Sequence, residues 1–203
     1  MSNWTGISLK WIQRSRFNRS SGHKTTMDAG FLVPIFLDEV LPGDTLDMRC
    51  ATFARLSTPL KPFMDNLHAD IHFWFVPPRL VWDHWPEFMG ENREGSGIQP
   101  VDYVVPQTRY IAGTTHISSS VAGYLGLPPV PGASNSVPTT RTVNALPFRA
   151  YALIFNTWYR DENLVEPVPI NFGDGPYRDW ETDRKSTRLN SSHEIPSRMP
   201  SSA

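Results

Sequence analysis

The clearest pattern of hydrophobic and polar positions runs from Leu67 to Val76. Leu67, Ala69, Ile71, Phe73 and Phe75 fall on one parity, and His68, Asp70, His72, Trp74 and Val76 on the other. A two-residue period belongs to a strand whose successive side chains point to opposite faces. The first set predicts a core face. The second is polar at one end and apolar at the other, as for a strand passing from a rim beneath a covering element. Pro77-Pro78 stops it. Two strands are predicted earlier. Phe31 to Val40 is apolar but holds Pro34, which has no N–H for a ladder and marks an edge or a bulge. Leu46, Met48 and Cys50 then alternate with Thr45, Asp47 and Arg49. Between them Leu41-Pro42-Gly43-Asp44 predicts a tight turn, Pro presetting φ and Gly accepting positive φ, so the two strands pair antiparallel. Thr58 to Pro62 breaks the regularity.

The period changes to that of a helix between Asn144 and Asn163. Phe148, Tyr151, Ala152, Phe155, Trp158 and Tyr159 form one apolar stripe, with Arg149, Asn156 and Arg160 off it. Asn144 suits the N-cap and Pro147 the first turn. A short helix capped by Asp83 is predicted to carry Trp85, Phe88 and Met89 on one face and to end at Gly90. Another is predicted over Ser120 to Leu125. Otherwise residues 91 to 142 are rich in Gly, Ser, Pro and Thr and read as a long loop insertion. Three strands cannot close a sandwich and leave an exposed edge, so their partners lie later in the chain or in neighbouring subunits.

Composition supports short strands joined by ordered loops: 19 Pro, 7 Trp and 11 Phe in 203 residues. The single cysteine, Cys50, excludes an internal disulfide and a cysteine zinc site. The N-terminus lacks an apolar run of signal-peptide length, and nothing reaches the length of a membrane span, so neither secretion nor a membrane partner is expected. Net charge is −1, but its distribution is uneven. Lys10, Arg14, Arg16, Arg19 and Lys24 precede the first acid, Asp28, with Trp4, Trp11 and Phe17 interleaved. Such an arm suits phosphate contact and base stacking; the competing reading is a solvated terminus.

His68-x-Asp70-x-His72 is the one arrangement resembling a metal site. Its members share a strand face but stand about 7 Å apart, so a metal there needs ligands from other strands. A polar strand face at an interface is the stronger reading. The same residues would serve a cupin-like jelly-roll metal protein, one alternative function; a single-stranded nucleic-acid-binding module acting through residues 1 to 27 is another. Ser191-Ser192-His193 with Glu194 lacks a nucleophile elbow, and neighbours in sequence do not make a triad. No Walker loop is present, and the Gly90 to Gly97 stretch lacks the strand and helix a phosphate loop needs. No catalytic residue and no cofactor is expected.

The ordered motifs resemble the opening of the microvirus major capsid protein, gokushovirus branch. They run from His23-Lys24-Thr25-Thr26 through Ala29-Gly30-Phe31-Leu32-Val33-Pro34, Leu41-Pro42-Gly43-Asp44-Thr45, Phe53 to Pro59 and Met64-Asp65-Asn66-Leu67. The likeness is strongest at Phe73-Trp74-Phe75-Val76-Pro77-Pro78-Arg79-Leu80-Val81-Trp82. It continues through Trp85, Phe88 to Glu91, Tyr124 to Pro128 and Asn144 to Tyr151, and closes on Trp158 to Leu164. The blocks are co-linear over most of residues 14 to 180.

The resemblance implies a mainly β fold: a viral jelly roll, incomplete here with its first strands only, carrying long loop insertions and one amphipathic helix. It implies a virion subunit that self-assembles into a small icosahedral shell around circular single-stranded DNA, with other virion proteins as partners and assembly in the host bacterial cytoplasm. On that reading Lys10, Arg14, Arg16, Arg19 and Lys24 face the genome, and Phe148, Tyr151, Phe155, Trp158 and Tyr159 make subunit contacts. The expected organisation is a basic arm over 1–27, a partial jelly-roll domain over 28–182 with its insertion at about 91–165, and a foreign tail over 183–203. From Asp183 the last 21 residues hold six Ser and no aromatic. Asp183 to His193 and Ser197 to Ala203 resemble a translated short-read sequencing adapter, and on that ground the tail is expected to lie outside the fold.

Overall fold

A computed structural model of the protein describes residues 15–91, 102–110, 120–127 and 141–175. The described chain is mostly non-helical, with one small antiparallel sheet and short helices. In the sheet, β1 (Gln107–Tyr110) pairs with β2 (Arg141–Asn144), Gln107 opposite Asn144 and Tyr110 opposite Arg141. Both strands are short and fall in or beside the stretch read as loop. Thr108, Tyr110, Thr142 and Val143 carry the β-branched and aromatic preference for a pleated surface, but over too few residues to give a period.

The turn at Leu41 to Asp44 forms as its residues require. Gly43 takes φ of 81° and the Asp44 N–H donates to Leu41 O at 3.0 Å. The two short helices close the same way. After α1 (Trp85–Phe88) the Glu91 N–H reaches Pro86 O, and Gly90 sits at φ of 92°. After α2 (Val121–Tyr124) the Leu127 N–H reaches Ala122 O, and Gly126 sits at φ of 90°. Both are the left-handed glycine stop with a six-to-one hydrogen bond. Ser120 caps α2 through Gly123 N. Asp83 does not cap α1: the N-cap is His84, and the Asp83 N–H donates instead to Phe172 O at 3.0 Å.

The long helix is shorter than its stripe. α3 spans Leu146–Ile154, with Pro147 in the first turn; its N-cap is Ala145 rather than the expected Asn144, whose Oδ1 accepts from Leu146 N at 2.9 Å just before the helix. It then widens into a π-helical turn over Phe155–Tyr159, closed by Arg160 N donating to Phe155 O at 2.9 Å. One extra residue per turn shifts the register of every later side chain. Phe148, Tyr151, Ala152 and Phe155, up to the start of the turn, are buried, whereas Trp158 within it is 65% exposed. Arg160 is already extended, which corrects the predicted end at Asn163.

The core is built around α3. One cluster joins Ala122, Ala145 and Phe148; another joins Ala152, Phe155 and Val168, with Leu32 packed on it. Trp82, fully buried, gathers Trp85, Phe88 and Tyr103 at ring-centroid distances of 5.5 to 6.3 Å.

The three predicted strands are not formed among the described residues; 32–76 carries no strand assignment. The parity of Leu67 to Val76 nevertheless persists. His72 and Trp74 turn together onto the end of α3, where both rings meet Tyr159. The opposite set, expected to be core, is outside: Leu67 61%, Phe73 58% and Phe75 76% exposed. A strand is defined by its neighbour, and an extended segment without a partner has no ladder to join.

Candidate functional site

Two features dominate the described surface and interior: a buried polar knot and an exposed aromatic face. The knot starts from Arg149, fully buried on α3. Its Nη1 donates to Val81 O at 3.0 Å, and its Nη2 to Gly173 O at 2.9 Å and Gly175 O at 3.0 Å. A guanidinium presents a planar fork of donors, so one side chain can tie three backbone carbonyls from two distant segments. Between those glycines lies Asp174. Its Oδ1 accepts from Trp82 Nε1 at 2.8 Å and lies 2.8 Å from His84 Nδ1, and its Oδ2 accepts from Val104 N at 3.1 Å. The His84 imidazole is held above its ordinary value, first by the hydrogen bond to Asp174 and then by the charges of Asp174, Glu87 and Asp83, against partial burial. Burial pushes the Asp174 carboxyl upward, but hydrogen bonds from His84, Trp82 and Val104 outweigh it and leave the group below its ordinary value.

A second brace stands at the π turn. Asn156 Nδ2 donates to Val168 O at 2.8 Å, and its Oδ1 accepts from Val168 N at 2.9 Å. One amide side chain thus stands in for a strand neighbour. Tyr151 OH donates to Leu32 O, and Tyr124 OH to Thr26 O, fastening the early chain to α3 and α2. Burial lifts both phenols above their usual value.

The aromatic face lies where Trp74 meets Trp158, with ring centroids 5.0 Å apart. Tyr159 OH shares a hydrogen bond of 2.7 Å with His72 Nδ1. Beside them an open groove of about 220 Å³ is lined by Phe75, Val76, Leu80, Leu153 and Ile154 among others.

The residues singled out from sequence separate accordingly. Phe148, Tyr151 and Phe155 are packed inside this chain, Trp158 is exposed and Tyr159 is half-buried. Lys10 and Arg14 lie outside the described residues. Arg16, Arg19 and Lys24 are exposed, and Arg19 pairs with Asp38 at 2.7 Å. His72 is engaged by Tyr159, and no cluster of metal-ligating side chains that includes His68 and Asp70 occurs among the described residues. No described helix is long and apolar enough to cross a membrane. Arg149, Asn156 and Asp174 were not identified as structural centres from sequence. A buried arginine on the polar side of a stripe gives no periodic signal, and Gly-Asp-Gly reads as an ordinary turn.

The chain is similar to curated viral proteins. It is 44% identical over 163 residues to the capsid protein VP1 of Bdellovibrio phage phiMH2K, covering 80% of this chain and 29% of that protein. It is 43% identical over 181 residues to VP1 of Chlamydia phage 1, covering 85% of this chain and 28% of the relative. It is 36% identical over 148 residues to VP1 of Spiroplasma virus 4, covering 70% and 24%. The chain thus spans less than a third of the length of these relatives. A family model described as capsid protein (F protein) matches residues 6–201, nearly the whole sequence, and on that match the chain belongs to the phage capsid protein (F protein) family.

Proposed function

We propose that this chain forms part of a structural capsid subunit that acts by self-association, without a catalytic centre. The observation that carries the reading is the exposed apolar band along residues 53–75. Phe53 is 93% exposed, Leu60 106%, Met64 94% and Phe75 76%. A finished soluble monomer rarely leaves so many large apolar side chains of one segment open. Family membership supports one kind of partner for it: more of the same protein, in the same subunit or in the next. In this reading the Leu67 to Val76 segment becomes a strand of a jelly roll, and the shell encloses circular single-stranded DNA as an icosahedral particle assembled in the host bacterial cytoplasm. Lys10, Arg14, Arg16, Arg19 and Lys24 face the genome. Of the five side chains expected at subunit contacts, Trp158 and Tyr159 are the ones positioned to serve, joined by Trp74 and Phe75. Phe148, Tyr151 and Phe155 act one step behind, holding α3 in place. The cupin-like alternative has no support from the family or from the surroundings of His72. The change of composition at Asp183 favours a foreign tail; the family match runs through residue 201, and the underlying nucleotide sequence decides between them.

The test is a chimera in which residues 15–175 of this chain replace the matching region of the phiMH2K capsid protein. Electron microscopy and sedimentation are expected to show closed particles that protect DNA from nuclease. A chimera that melts cooperatively yet stays monomeric at capsid-forming concentrations would sink the proposal.

A further inference from the structure

The carboxylate of Asp174 is the meeting point of three chain segments. Trp82 and His84 reach it from the segment before α1, Val104 from the segment leading into β1, and Arg149 holds the carbonyls on either side of it. Only one of its donors can change charge near neutral pH. We propose that His84 and Asp174 form a proton-operated latch, which fastens the Val104 segment and the Gly173 to Gly175 turn to the Trp82 core while His84 is charged and loosens them when His84 gives up its proton. The inference does not rest on the capsid reading.

The geometry gives the latch its leverage. His84 Nδ1 stands 2.8 Å from Asp174 Oδ1, with the side chains 33% and 25% exposed. The pair is therefore reachable by solvent protons yet shielded on most sides. When His84 gives up its proton the Asp174 carboxylate still accepts from the imidazole, but the attraction between two opposite charges is lost. Gaining or losing the imidazole charge changes the hold on Asp174 and, through Oδ2, on the Val104 N–H. The groups around His84 favour the charged form. Asp83 and Glu87 lie on its own segment, and Asp174 faces it. The Arg149 guanidinium on α3 donates to Val81 O, Gly173 O and Gly175 O. The Tyr103 ring packs edge-on against Trp82 and presents no charge to the pair.

The direction follows from both partners. His84 is held above its ordinary 6.5, so its contribution is complete below that value and is lost as pH rises through the raised one. Asp174 is held below its ordinary 3.8, so its contribution is complete above that value and is lost as pH falls through the lowered one. The latch is tightest between the two ordinary values, and it opens on the alkaline side first.

Two readouts on the full 203-residue chain test this. Histidine C2-hydrogen exchange read by mass spectrometry gives the His84 titration midpoint, and amide exchange normalised for intrinsic rate gives the protection of Val104. In the wild type the His84 midpoint is expected above 6.5, with Val104 protection falling about threefold between roughly pH 5.5 and pH 8 at the same midpoint. In His84→Gln the Val104 profile is expected to be flat over that range. In Asp174→Asn the His84 midpoint is expected to return toward its ordinary value. Should Asp174→Asn lose the protection of α3, the coincidence of the two wild-type midpoints decides instead. A wild-type His84 midpoint at or below 6.5, whether or not the chain is folded, overturns the latch. So does a flat wild-type Val104 profile, or an unchanged pH response in His84→Gln.

Discussion

Replacing Arg149 by Met is expected to be the most damaging single change in the described core. The methionine fills much of the volume and removes the charge, so the experiment isolates the donors. In the wild type three carbonyls, those of Val81, Gly173 and Gly175, accept from this one guanidinium at 2.9 to 3.0 Å. A buried ion exchanged together with its partner for apolar groups is often neutral, but here the partners are backbone carbonyls and stay behind. Each carbonyl left without a donor costs roughly 1–3 kcal/mol, and relief from burying the charge returns part of it, leaving a net loss of about 3–5 kcal/mol. With a urea slope near 2 kcal/mol/M for a small domain, that is a midpoint shift of about 1.5–2.5 M, read from amide exchange of α3 along a urea gradient. Arg149→Lys keeps the charge but not the fork and is expected to lose about 1–2 kcal/mol. An Arg149→Met protein within about 0.5 kcal/mol of wild type would refute the reasoning, because a substitution that small in effect belongs to the surface.

Other expectations follow from the same geometry. Asn156→Ala removes both halves of the exchange with Val168 and is expected to cost about 1–2 kcal/mol, with faster amide exchange at Val168 as the local signature. Gly43→Ala places a Cβ at a positive φ and is expected to cost about 1 kcal/mol, read as a lower urea midpoint for the Asp44 amide. A peptide of residues 1–27 is expected to bind single-stranded DNA with log K falling against log salt at a slope of about −3 to −4, as five released counterions require; a slope near zero removes the arm from the genome-binding reading. A long nucleotide read through codon 183 is expected to leave the viral sequence there; the same peptide followed by further viral sequence would make the tail native.

The sequence was informative where a residue acts alone and silent where it needs a distant partner. Pro42-Gly43, Gly90 and Ser120 are local devices, and each sits in the structure as its own chemistry dictates. The start of α3 was legible to within a residue for the same reason, through Pro147, although its N-cap is Ala145 and not Asn144. Its end was not, because the π turn at Phe155–Tyr159 is braced by the exchange between Asn156 and Val168, twelve residues on, rather than set by propensity. The knot was invisible because its donors and acceptors lie 68 residues apart between Arg149 and Val81 and 90 between Asp174 and His84. The family resemblance succeeded because co-linear blocks carry information that no single spacing does.

The segment from Leu67 to Val76 makes the case for missing partners in energetic terms. Fully burying a large apolar side chain is worth roughly 1.5–3 kcal/mol, so Leu67, Ile71, Phe73 and Phe75 together offer about 6–12 kcal/mol. Fixing ten residues of backbone costs about 10–20 kcal/mol before side chains are counted. The apolar face alone therefore cannot hold this segment as a strand; a ladder neighbour and a facing layer must supply the rest. In the 203-residue chain its amides are expected to exchange nearly as fast as in a peptide, except near His72 and Trp74, where Tyr159 and Trp158 cover one face. In the chimera the same amides are expected to slow by at least about a hundredfold, the protection of roughly 3 kcal/mol that a paired core strand provides. If the chimera forms closed particles while these amides remain fast, the shell is built without this strand, and the two-residue period at Leu67 to Val76 has some other cause.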